Sequence, residues 1–106
     1  MMLLDALDLQ NRLRGERPLV VVVARKRSSA SERAVSQFAH AARAEEVDAV
    51  SFDADDPHHA PILDELRVKF VPEVLVFQRG VVLERTPGAK DADDARSMLR
   101  AALRRR

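Results

Sequence analysis

Two polar stretches hold the side chains of this chain that could do chemistry: Arg25-Lys26-Arg27-Ser28-Ser29-Ala30-Ser31 and Asp53-Ala54-Asp55-Asp56-Pro57-His58-His59. Hydroxyls near an imidazole would suit nucleophilic catalysis, with Ser28, Ser31 or His58 as the reacting group. No G-x-S-x-G turn exists, however, and His40 falls inside a helical pattern. Carboxylates beside two imidazoles would suit several divalent ions. Asp55 and Asp56 are adjacent, as are His58 and His59, so each pair points apart on most local backbones. With no known ligand spacing present, the cluster reads as the solvated start of a helix, where acidic residues suit the dipole. No metal or other cofactor is expected. The cations Arg25, Lys26 and Arg27 could hold an anion at a helix N-terminus. The plainer expectation is exposed pairing with Asp53, Asp55 or Asp56, worth little energetically. Thiol chemistry has no reagent, because the chain contains no cysteine.

These stretches need elements to position them. Leu19 to Ala24 is an unbroken, mostly β-branched run, the pattern of a strand covered on both faces. After the basic loop, Ser29 followed by Glu32 reads as a capping box that opens a helix. Ala34, Phe38 and Ala41, flanked by Val35 and Ala42, give that helix a small-residue apolar face fading near Glu45-Glu46. Val47 to Phe52 is a weaker strand, and Asp56-Pro57 reads as the N-cap and first position of a helix through Leu66. Five of the seven residues from Val71 to Phe77 are apolar, and Val81 to Arg85 resumes after Arg79-Gly80. That pattern predicts an antiparallel hairpin with a positive φ at Gly80 and Pro72 at the strand entrance. A first helix is expected from Leu3 to Arg14, stopped by Gly15 and Pro18. A last helix is expected behind Asp91, burying Ala95, Met98, Leu99, Ala102 and Leu103, with Arg104-Arg105-Arg106 fraying from its end. A βαβ crossover followed by a hairpin makes one mixed sheet with helices on both faces.

The pattern V-P-x-V-L-V-F-x-x-G from Val71 to Gly80, followed by Gly88-Ala89, resembles the C-terminal half of the thioredoxin family. The match runs without a gap from about Leu66 to Ala89 and is joined by Leu19 to Ala24 and Val50 to Asp55. The resemblance implies an α/β three-layer sandwich with a central mixed sheet of four or five strands. It also places the family's C-x-x-C motif on Arg27-Ser28-Ser29-Ala30 or on Ser28-Ser29-Ala30-Ser31, where both thiols and the preceding tryptophan are missing. The family's buried acid corresponds to Val21, and the lysine paired with it to Ser51. Losing the whole set argues against disulfide exchange. The resemblance further implies a cis Val71-Pro72 bond facing that loop, with Pro18, Pro57, Pro61 and Pro87 trans. It implies a peptide groove lined by Gly88, in which Val71 offers its backbone.

At 106 residues, 46% apolar and 33% charged, the chain is expected to be one domain, 1–106, with a single core. A net charge of +1 and the absence of Trp and Tyr argue against a nucleic-acid partner. Asp5 and Asp8 interrupt the N-terminal apolar run, and no stretch approaches a membrane span, so the expectation is a cytoplasmic protein without a membrane partner. The favoured function is a redox-inactive adaptor, assembly factor or chaperone-like module that binds another protein or an extended peptide. Its expected contact residues are Arg27, Ser28, Ser29, Ser31, Val71, Pro72 and Gly88, with no catalytic residue. The alternatives are a non-thiol enzyme on the same loop edge and a structural domain that pairs with a second copy.

Overall fold

The computed structural model describes residues 1–104. Arg105 and Arg106, read above as part of the frayed end of the last helix, lie outside them. The elements run β1 (Met2–Leu4), α1 (Ala6–Leu13), β2 (Leu19–Ala24), α2 (Ser29–Ala44), β3 (Asp48–Asp53), a 3-10 turn (Pro57–His59), α3 (Ala60–Glu65), β4 (Glu73–Gln78), β5 (Val81–Thr86) and α4 (Ala92–Leu103). Among the described residues the strands form one sheet in the order β1-β3-β2-β4-β5. β1 and β2 flank β3 in parallel, and β4 runs antiparallel to both β2 and β5.

The valine run of β2 has no polar alternation because neither face meets water. Val20 and Val22 enter one core with Phe38 of α2, Val74 and Val76 of β4, and Leu99 of α4. Val21 and Val23 enter the other with Leu9 of α1, Phe52 of β3, Ile62 of α3 and Leu75 of β4. All four valines are fully buried, each contributing roughly 1.5–3 kcal/mol relative to exposure. The hairpin forms as expected, but its turn has positive φ at Arg79 (54°) as well as at Gly80 (77°). This is the type I′ signature that matches the twist of the flanking strands. The turn is tied back by N–H bonds from Arg79 to the Gly15 carbonyl and from Gly80 to the Leu13 carbonyl.

Three expectations need correction. The first helix does not begin at Leu3: Met2 to Leu4 form the fifth strand, and Asp5 caps α1 by accepting the Asp8 N–H at 2.9 Å. Leu3 and Leu4 fit a helical spacing, but pairing with Ser51 and Phe52 of β3 prevails. The cap of α2 is Ser28 and not Ser29, since the Ser28 Oγ accepts the Ser31 N–H at 3.2 Å. The helix expected after Asp56 opens as a 3-10 turn before Ala60, although Asp56 does cap it and Pro57 does occupy its first position.

Candidate functional site

The two polar stretches meet at one edge of the sheet, beyond β2 and β3. Ser31 is buried, and its Oγ accepts the Arg25 N–H at 3.0 Å, closing the loop over the start of α2. Arg27 stands at the tip with φ 59°. Arg25 faces Asp55 at 3.8 Å and Lys26 faces Asp53 at 4.0 Å, the cross-loop pairing expected from sequence. Asp56 instead accepts the His58 N–H, and this backbone bond is the first cause of its carboxyl lying below the usual range.

The adjacent histidines part company. His58 is almost fully exposed, whereas His59 is buried and stacked on Phe52 with ring centroids 4.0 Å apart. The Nδ1 of His59 donates to the Asp53 carbonyl at 2.7 Å, so its ring staples the loop to β3. Neither Ser28 nor Ser31 is hydrogen-bonded to an imidazole. Among the described residues no three His, Cys, Asp or Glu side chains are grouped as metal ligands. Val21, at the position of the resembling family's buried acid, sits in an apolar core.

The Val71-Pro72 peptide is cis and the other X-Pro bonds are trans. Its segment is held at both ends by Arg85 of β5. That guanidinium donates to the carbonyls of Leu66 and Arg67 and to the Glu73 carboxylate. Pro72 lines an open groove of about 620 Å³, with Ala30, Arg33 and Gln37 of α2 on one side and Gly88, Ala89 and Met98 on the other. Gln37 sets the width of this groove. Its Nε2 donates to the Ala89 carbonyl at 2.9 Å, and its Oε1 accepts the Ala89 N–H at 3.3 Å.

Of the residues expected to contact a peptide, Pro72 and Gly88 line the groove. Ser28, Ser29 and Arg27 stand at the neighbouring helix start, and Ser31 is committed to the loop. Val71 turns its side chain onto the core of Leu9 and Phe52, while its N–H and C=O take no partner among the described residues. Sequence reasoning missed Ala30, Arg33, Gln37 and Met98. Gln37 had left a signal, being a polar residue on the apolar side of α2.

No protein-family model matches the sequence, and no curated protein matches it. Solved structures do. A designed protein superposes with TM-score 0.80 at 20% identity, covering 96% of this chain and 91% of its own. Thioredoxin from Trypanosoma brucei brucei gives 0.74 at 18%, covering 99% and 88%. Chloroplastic thioredoxin z gives 0.79 at 14%, covering 98% and 95%. The chain has the thioredoxin fold. Within that fold it carries no cysteine, so thiol–disulfide exchange lacks its nucleophile.

Proposed function

We propose that this thioredoxin-fold chain acts by contact, binding an extended segment of another polypeptide along the groove beside Pro72, in the cytoplasmic setting expected above. The observation that carries the reading is Val71, whose N–H and C=O are unpartnered among the described residues and which directly precedes Pro72 of the open groove. An extended peptide gains affinity from such main-chain bonds and specificity from alternate side chains. Arg85 and Gln37 hold the groove's two sides in place before any partner arrives, which lowers the ordering cost of binding. The role is that of an adaptor, assembly factor or chaperone-like module.

The test is a nuclear magnetic resonance titration with short extended peptides. Binding at this site shifts the Val71, Gly88 and Ala89 amides. Ala30→Trp, which fills the groove from an exposed position on the first turn of α2, removes the response with no loss of fold. Shifts confined to another face, or binding indifferent to Ala30→Trp, overturn the reading. Disulfide reduction by the purified chain in an insulin assay overturns its redox-inactive half.

A further inference from the structure

The charges around the groove differ in how far they are committed. Arg33 and Lys90 line it, both exposed and neither in an ion pair among the described residues. The acid that lines it, Asp94, accepts the Lys90 N–H at 2.8 Å. Asp91 is occupied as the cap of α4, taking the Asp94 N–H at 2.8 Å. Glu32 and Asp93 lie in the first turns of α2 and α4, where the helix dipoles offset them, and neither lines the groove. Glu73 is paired with Arg85 at 2.5 Å. Among the lining side chains two cations, Arg33 and Lys90, stand against one carboxylate, Asp94, so positive charge exceeds negative along the groove.

A second feature adjoins it. Phe70, two residues before Pro72, is 78% exposed, the most exposed of the large apolar side chains. It stands beside Lys69, which is exposed and in no ion pair among the described residues. An aromatic ring left in water two residues along the chain from the groove's Pro72, next to the cation Lys69, is matched by a partner that brings apolar surface and carboxylates together.

Building on the groove reading above, we propose that its occupant is an extended acidic polypeptide segment whose carboxylates meet Arg33 and Lys90 and whose apolar residues cover Phe70. Alternation along a strand sends successive side chains to opposite faces, so alternating acidic and apolar residues meet both features at once.

Fluorescence anisotropy with three labelled peptides, alternating Val-Glu, Val-Lys and Val-Ser, tests this. At low salt the Val-Glu peptide binds about tenfold more tightly than Val-Ser, the sum of two exposed ion pairs, and Val-Lys binds weakest. The gap narrows at physiological salt, as expected for exposed charges. The double variant Arg33→Glu/Lys90→Glu transfers the preference to Val-Lys, and Arg33→Gln/Lys90→Gln levels it. Phe70→Ala weakens all three peptides alike. Equal affinity for the three peptides, or a preference unmoved by either double variant, overturns the acidic specificity and leaves the groove reading standing. No binding by any of them, with the fold intact by circular dichroism, removes the groove reading itself.

Discussion

Gln37 stands beside Ala34, Phe38 and Ala41 on the side of α2 that faces the core, and it is itself 8% exposed. A polar group there is tolerated because both ends of its amide are answered by Ala89. Gln37→Leu keeps much of the volume but leaves the Ala89 N–H and C=O without partners. It is expected to cost roughly 1–3 kcal/mol in urea unfolding and to speed hydrogen exchange at the Ala89 amide. If exchange at Ala89 is unchanged, this pair does not set the groove wall. From the sequence, the residue was visible as an anomaly in an apolar stripe. Its partner was not, because Ala89 is 52 residues away. Val71 is the converse case: its free backbone before Pro72 was implied by the family pattern, but the packing of its side chain onto the core was not.

At the scale of elements, the start of α2 separates two readings that differ by one residue. Ser28→Ala is expected to lose about 1 kcal/mol by thermal or urea unfolding, since its Oγ answers the Ser31 N–H. Ser29→Ala, on an exposed first-turn hydroxyl without a capping bond, is expected to stay within about 0.5 kcal/mol of the parent. The reverse order would restore the capping box on Ser29. The ends of α2 and α3 fall where their apolar patterns fade, with C-caps at Glu45 and Leu66. Both α2 and α3 close in Schellman motifs, with the N–H of Val47 on the Ala42 carbonyl and that of Val68 on the Leu63 carbonyl. The left-handed positions are filled by Glu46 (φ 56°) and Arg67 (φ 58°), where glycine usually signals the stop.

At the scale of the molecule, α2 and α4 are joined on the outside by Glu45, which takes Arg96 at 2.7 Å and Arg100 at 2.9 Å. Hydrogen bonds from Arg100 first and Arg96 second draw its carboxyl from 4.5 down to about 2. A carboxyl depressed in the folded state stabilises the fold above its unfolded value and loses that contribution as pH falls from about 4.5 toward about 2. Glu45→Gln is expected to flatten the pH dependence of the melting temperature in that window, and an unchanged slope would falsify the linkage. Residue pattern and composition were enough to read the α/β class, the doubly covered β2, the hairpin and the absence of thiol chemistry, because each is local or compositional. Folding alone settled the strand at Met2 to Leu4, the burial of Ser31 and His59, and the groove walls at Ala30, Arg33, Gln37 and Met98. Those depend on which residues distant in the chain come to share a sheet edge, and side-chain spacing along one segment carries no record of that.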